Sequence, residues 1–287
     1  MKKLLLPLGL IFILSACQKE LSVEDGTPII PPPGGTGTIG NNCKLQQILA
    51  INPANSAGLY SIYTQFNSAG VATKVEGFDS TTSTMDFEAS FIYTGDTIRV
   101  SPVELFLTDA QKRVKAFHTV DNSGSAIDSA YFAYAYNGEG YLISKTAFLV
   151  GIPFPLAVFT YTWSGGNLVA VKAVSNLTGS DQKVFEASLE YDGNAVAKNF
   201  IPVYPDGIES SLYIMGLNIG KPSRNLVKKV VATTYDENGN VDSTLTSTYS
   251  DYKYSSDGYL IEWTVGGDLL GGSPFFTGRS AFKYYCP

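Results

Sequence analysis

The feature that most constrains this chain is one short phrase written several times: an aromatic pair two residues apart, a cluster of Asp, Asn, Ser and Gly, then branched apolar residues. Tyr252-Lys-Tyr-Ser-Ser-Asp-Gly-Tyr-Leu-Ile-Glu-Trp263 is its clearest copy. Residues two apart project from one face of a strand and the polar cluster reverses the chain, so the phrase encodes a β-hairpin. Tyr134-Ala-Tyr136-Asn-Gly-Glu-Gly-Tyr-Leu142 and Tyr235-Asp-Glu-Asn-Gly-Asn-Val241 share its spacing. Tyr161 to Leu168, Phe91 to Ile98, Tyr191 to Val196 and Phe66 to Val71 are one residue tighter at the turn. Phe106-Leu-Thr-Asp-Ala-Gln-Lys-Arg-Val114 is a worn copy with its glycine replaced. About eight hairpins at irregular spacing predict a β-meander.

The expected fold is all-β, a long antiparallel up-and-down meander curved into a barrel or half barrel, with one short helix near 207–217. Strands are predicted over Lys44 to Ile51, Leu59 to Phe66, Val71 to Asp79, Thr84 to Tyr93, Thr97 to Val100, Val103 to Leu107, Val114 to Val120, Ala126 to Tyr136 and Tyr141 to Phe148. They continue over Ala157 to Trp163, Leu168 to Ser175, Val184 to Tyr191, Ala195 to Phe200, Leu226 to Tyr235, Val241 to Tyr254, Tyr259 to Val265 and Gly278 to Tyr285. Gly207 to Leu217 breaks the pattern. Ile208, Leu212 and Met215 form a helical stripe between Pro205 and Pro222, so a short helix or 3₁₀ turn capping an open end of the barrel is predicted.

Alternation along the strands assigns faces. Phe132, Tyr134 and Tyr136 share one face while Ala133 and Ala135 share the other, and Phe159, Tyr161 and Trp163 oppose Thr160 and Thr162. Aromatics on one side and small or hydroxylated residues on the other suit a curved sheet packed on one face and solvated on the other. The aromatic face reads as core, or as a platform on which sugars stack. Phe148 to Phe159, with Pro153 and Pro155, is the most apolar stretch after the N-terminus. It reads as core, or as an exposed lip that would contact a partner, a lipid or an apolar ligand. Phe148, Phe154, Phe159, Tyr161 and Trp163 are therefore the candidate binding surface.

The N-terminus reads as an address. Lys2 and Lys3 precede an apolar run from Leu4 to Leu14, too short to span a bilayer, and Leu14-Ser15-Ala16-Cys17 is a small-residue processing site ending in cysteine. This is the pattern of a bacterial lipoprotein signal: residues 1–16 are removed and Cys17 is lipidated. Several acyl chains on one residue suffice for stable anchoring, at about 0.8 kcal/mol per buried methylene. Residues 17–42, rich in Pro, Gly and Thr, read as a disordered tether, and 43–287 as a single β-meander domain. Gly35, Gly37 and Gly40 match a dinucleotide fingerprint in spacing, but no strand precedes them and no helix follows. The expected location is the outer membrane, on the cell surface or its periplasmic side.

With Cys17 taken by lipid, Cys43 and Cys286 remain at the two ends of the domain of an exported protein, and a disulfide between them is predicted. A net charge of −6 and a pI near 4.9 argue against nucleic acid. His118 is the single histidine, and no His/Cys/carboxylate cluster stands at metal-ligand spacing. Asp236 to Asp242 mimics the start of a calcium loop, but Val241 stands where glycine is needed, so it reads as a hairpin turn. No nucleophile elbow or P-loop is present. No catalytic residue, metal or cofactor is therefore expected.

The repeated Tyr-x-Tyr-Asp/Asn-x-x-Gly-x-Leu/Val phrase, Gly220-Lys-Pro-Ser-Arg-Asn-Leu-Val-Lys228 and the lipobox together resemble a family of uncharacterised Bacteroidota lipoproteins described as porin-like in fold. The hairpins are also similar to the tyrosine-aspartate repeats of Rhs-type proteins. The resemblance implies a meander curved into a barrel or half barrel and carries over no catalytic residues. A membrane-spanning barrel would need a lipid-facing apolar band on every strand and usually ends in an aromatic residue, whereas this sequence ends Tyr285-Cys286-Pro287 and carries an acyl anchor that such a barrel would not need, so a soluble barrel on a tether is expected. Two functions follow: a non-catalytic module binding glycan, lipid or protein at the end of its tether, or a structural or assembly accessory lipoprotein contacting protein partners. The first predicts an unfilled aromatic interior, the second a filled one.

Overall fold

Five hairpin turns share one backbone pattern, and it explains the repeated phrase. The N–H of Asn67, Asp109, Asn137, Asp236 and Ser255 each donates to the carbonyl four residues on, and the N–H three residues on donates back. That third residue is Gly70, Lys112, Gly140, Gly239 or Gly258, with φ between 58 and 94°. This is a type I turn closed by a left-handed residue, the three-residue hairpin connection that favours glycine. Four of the opening side chains cap their own turns. Asn67, Asp109, Asn137 and Asp236 each accept through Oδ1 from the N–H groups two and four residues on. Lys112 takes the left-handed conformation in the worn copy, so that copy folds as the others do.

The computed structural model describes residues 43–287 except 53, 102–103, 120–129, 150, 177–178, 197, 199, 207, 269–277 and 287. The predicted signal peptide and tether, Cys17 included, lie outside the described residues. The strands are β1 (Lys44–Ile51), β2 (Gly58–Phe66), β3 (Ala72–Asp79), β4 (Thr84–Ser90), β5 (Ile92–Thr94), β6 (Thr97–Ser101), β7 (Glu104–Thr108), β8 (Val114–Thr119) and β9 (Ala130–Tyr136). They continue as β10 (Leu142–Leu149), β11 (Ala157–Ser164), β12 (Asn167–Ser175), β13 (Gln182–Val196), β14 (Asn225–Tyr235), β15 (Val241–Tyr254), β16 (Leu260–Gly267) and β17 (Gly278–Tyr285). One helix, α1 (Ile208–Ile214), lies between β13 and β14.

All pairings are antiparallel and join neighbours in sequence, and β17 pairs back onto β1 from Lys44↔Tyr285 to Ile51↔Arg279. The 17-stranded meander is thus nearly closed into a barrel. The ring is weakest at Phe91, where the single strand predicted over Thr84 to Tyr93 divides. β4 pairs with β3, and β5 takes over against β6. Asp86 and Glu88 sit on the β4 side of that seam, charges that discourage addition of a foreign strand. Cys43 and Cys286 are disulfide-bonded with Cα atoms 4.2 Å apart, joining the first strand to the last.

A second repeated contact ties hairpin to hairpin. An aromatic residue of one strand donates a hydrogen bond to a backbone carbonyl near the start of an earlier strand. Tyr93 reaches Ala72, Tyr136 reaches Val114, the Trp163 indole reaches Leu142, Tyr191 reaches Leu168, Tyr252 reaches Val227 and Tyr284 reaches Leu260. The bulge beside each tight turn shifts the register there, as at Phe66↔Ala72 and Thr108↔Val114. The aromatic of the repeat thus supplies both buried area and a donor for a carbonyl near the barrel's end.

The hairpin predicted over Tyr191 to Phe200 does not form: β13 runs on to Val196, which still pairs with Asn225 of β14. Residues 200–206 are buried, and Phe200 packs edge-on to Trp263 and Phe282, with centroids 5.0 and 4.7 Å away. Burial of this apolar run in the barrel outweighs the local turn signal of Asp192-Gly193-Asn194. The segment 200–224, α1 included, is a plug inside the barrel rather than a cap over its end. Thr64 on β2 donates to the Ile214 carbonyl, Val114 N–H to Asn218, Lys221 N–H to Gly140 and Arg224 N–H to Gly166. Gly220-Lys-Pro-Ser-Arg224 is therefore a strap across the turns at one end.

Two stability effects follow. Tyr284→Phe leaves the Leu260 carbonyl without its donor and lowers stability by about 1 kcal/mol, read as a lower urea midpoint at unchanged slope. Cys43→Ser opens a loop of 243 residues and costs more, on the order of 5 kcal/mol as an upper figure from chain entropy, read the same way.

Candidate functional site

The strongest concentration of chemistry lies where the plug meets the wall. The Ser210 hydroxyl accepts from the Tyr204 N–H and donates to the Pro202 carbonyl, which folds the plug into a tight entry to α1. That entry sets Asp206 just before the helix and Glu209 in its first turn, both facing Lys145 on β10. The Lys145 ammonium lies 2.5 Å from Asp206 Oδ2 and 3.0 Å from Glu209 Oε1. The three side chains are 3, 2 and 0% exposed. Tyr161 donates to Asp206 Oδ2 at 2.7 Å, and the Lys145 ammonium lies 4.2 Å from the centroid of the Phe159 ring. Two carboxylates thus share one buried cation.

The protonation states follow from that imbalance. Burial pushes the Glu209 carboxyl up, and the adjoining Asp206 carboxylate adds to it, to about 8. Burial also works against the Asp206 charge, but Lys145 outweighs it and holds Asp206 below the usual carboxylate range. Burial opposes the Lys145 charge as well, yet the two carboxylates keep the ammonium above its ordinary value. Tyr134, Tyr161 and Tyr204 around the cluster are driven well up, first by burial and then by the carboxylates. At neutral pH the cluster is therefore Lys⁺, Asp⁻ and a protonated Glu209. With the plug seated, all three groups are closed off from solvent.

Nothing in the hairpin pattern flagged this cluster, but two signals were present. Lys145 stands two residues from Ala147 on the inward alternation of β10, where a charge needs a buried partner. Asp206 and Glu209 are the acids of the one segment that breaks the strand pattern.

The five residues of the expected binding surface are divided by the fold. Phe159 and Tyr161 are buried, with Tyr161 edge-on to Tyr204 of the plug at 5.5 Å. Trp163 donates to Leu142 and lies against Tyr141, centroids 4.4 Å apart. Phe159 and Tyr161 are core beside the plug and Trp163 is half-buried against Tyr141, so these rings form no open sugar platform. Phe148 stands on the other face of its strand, in a row His118, Tyr131, Phe148 with centroids 5.3 and 4.6 Å apart. Tyr131 has both faces covered, so the row offers ring edges rather than an open face. Phe154 alone of the five is exposed, at 42%, beside Ile152 at 38%, on the β10–β11 loop at the end away from the strap. The apolar stretch from Phe148 to Phe159 is thus part lip and part core.

The interior is filled where it is described. Inward positions around the ring, among them Val75, Ala173, Ala187, Ala232, Val265 and Ser280, are buried. A pocket between plug and wall, lined by Tyr191, Phe200, Ser223 and Trp263 among others, has room for about one water. The outward positions carry ion pairs, such as Lys74 with Glu76 and Glu88, and Glu262 with Lys253 and Arg279. Among the described residues no helix is long and apolar enough to cross a membrane, and no group of three or more His, Cys, Asp or Glu is placed to hold a metal. Asp236 and Asn240 close a hairpin turn.

Removing the cation tests the cluster. Lys145→Met leaves Asp206 buried without its partner and lowers stability by about 3–5 kcal/mol, seen as a drop in the urea midpoint.

No family model matches the chain, and no curated protein matches its sequence. Solved structures match its fold. A porin-like protein from Bacteroides uniformis ATCC 8492 superposes with a TM-score of 0.57 at 15% identity, covering 85% of this chain and 98% of that one. A porin-like protein from Bacteroides vulgatus ATCC 8482 superposes with a TM-score of 0.52 at 12% identity, covering 85% and 99%. This chain therefore shares the all-β barrel fold of two porin-like proteins of Bacteroides.

Proposed function

We propose that this chain is a non-catalytic cell-envelope lipoprotein, held in the outer membrane through Cys17, whose plugged barrel meets a protein partner on its outer surface. The observation that carries this reading is the filled interior. A module built to enclose a sugar or lipid needs a cavity of hundreds of Å³, and the inward positions here are taken by wall and plug side chains. The ion pairs on the outward face suit contact with water or with a protein rather than with lipid tails.

Chain connectivity supports an orientation. Cys43 and Cys286 lie at the strapped end, where Lys44 bonds the Gly70 carbonyl and Tyr285 the Asn67 carbonyl. The described chain begins there, and the opposite rim carries the exposed Ile152 and Phe154. Exposed apolar side chains on such a rim are the natural contact for a partner.

Two experiments in intact cells test the reading. Labelling with an alkyne fatty acid marks the wild type and not Cys17→Ala, which leaves the membrane fraction; equal labelling of both would remove the anchor from the proposal. A photo-crosslinker at Phe154 gives one discrete protein adduct, while the same probe at the buried Ala173 gives none. Saturable binding of a sugar or lipid, untouched by Phe154→Ala, would overturn the partner reading.

A further inference from the structure

The plug is held in place by buried charge, and its seat is electrostatically lopsided. Lys145 belongs to the wall, while Asp206 and Glu209 belong to the plug, so the ion pairs form only when the plug is home. The groups facing Glu209 come from each element around it. β9 presents Tyr134 and Tyr136, β10 presents Lys145, β11 presents Tyr161, and the plug itself adds Tyr204 and Asp206. Arg113 lies over the Tyr136 ring, 4.4 Å from its centroid, and is paired to Asp109. Lys145 is thus the cation of the cluster, and it is shared with Asp206 at the shorter distance.

One ammonium balances one carboxylate. The second carboxyl is neutral only while it keeps a proton, and losing it leaves a net negative charge among fully buried side chains. The Tyr204 hydroxyl is also buried without a protein hydrogen-bond partner, so the network has little surplus with which to absorb that charge.

We propose that Glu209 is a pH-sensitive latch: the segment 200–224 seats in the barrel with a proton on Glu209 and loosens from the wall as that proton leaves. The direction follows from linkage. Glu209 holds its proton in the seated plug and gives it up at ordinary carboxylate pH in the open one. Each pH unit above the ordinary carboxylate range therefore shifts the equilibrium about tenfold toward the open plug, until the seated group also ionises near pH 8 and the shift levels off. Asp206 acts in the opposite sense, since its seated form is the ionised one, so the seat is also lost in strong acid. The closed state is firmest in weak acid and loosens toward mildly alkaline pH.

Hydrogen exchange followed by mass spectrometry on the full-length protein, corrected for the intrinsic pH dependence of amide exchange, reads the opening of 200–224 directly. In the wild type, corrected exchange of that segment rises about tenfold per unit from pH 5 to 8 and flattens above, while β12 peptides change far less. Glu209→Gln keeps the hydrogen-bonding shape without the titration, so its plug exchange is flat over this range and slower than wild type at pH 8. Lys145→Met exchanges faster than wild type at every pH. A wild-type plug whose corrected exchange does not change between pH 5 and 8 overturns the proposal. So does a folded Glu209→Gln that keeps the wild-type slope. If Glu209→Gln does not fold, the wild-type pH series decides alone.

Discussion

The structure depends first on a donor problem at the turns. A tight turn closed by a left-handed residue displaces the next strand by one position, and the carbonyl beside the bulge then loses its ladder partner. A tyrosine or tryptophan from a later strand fills that need at Ala72, Val114, Leu142, Leu168 and Leu260, and Tyr252 does the same for Val227 beside the register shift where β14 follows the strap. The turn residue and the aromatic of the repeated phrase are therefore two halves of one contact, made between hairpins. Each such bond contributes about 1 kcal/mol, and together they set the spacing of neighbouring turns around one end of the barrel.

That end is where everything else is fastened. The strap of 218–224 bonds Val114, Gly140, Gly166 and Leu168 at the same turns, and the disulfide closes the ring beside Gly70. Gly220 has no room for a side chain there, since a Cβ would stand 2.6 Å from the Gly140 carbonyl oxygen. The plug could not be laid across the turns without that close approach. With the plug in place, apolar wall residues and the aromatic face of the hairpins become one core.

Filling the barrel also decides what kind of protein this is. An open aromatic lumen would suit a small ligand, whereas the described inward positions are packed. A costly feature of the described interior is the charge cluster. Hydrophobic residues would seat a plug at least as firmly as a buried ion pair. A shared ammonium between two carboxylates instead makes the seat conditional on a proton, which an apolar seat could not be.

The hairpins, their turns, the meander, the two faces and the disulfide were legible in the sequence. They rest on local chemistry: period-two alternation, turn residues that accept a positive φ, and cysteines at the two ends. Lys112 in the worn copy shows how far that holds, because the Asp109 cap suffices even where glycine is missing. Tertiary structure alone decided where Tyr191 to Phe200 goes, that Phe159 and Tyr161 are buried beside a plug, and that Phe154 is exposed. It alone brought Lys145 to Asp206 and Glu209, across 61 and 64 residues of chain. Local preferences specify a turn or a face, but which apolar segment fills a barrel depends on the space that all the strands enclose together, and no short stretch of sequence carries that information.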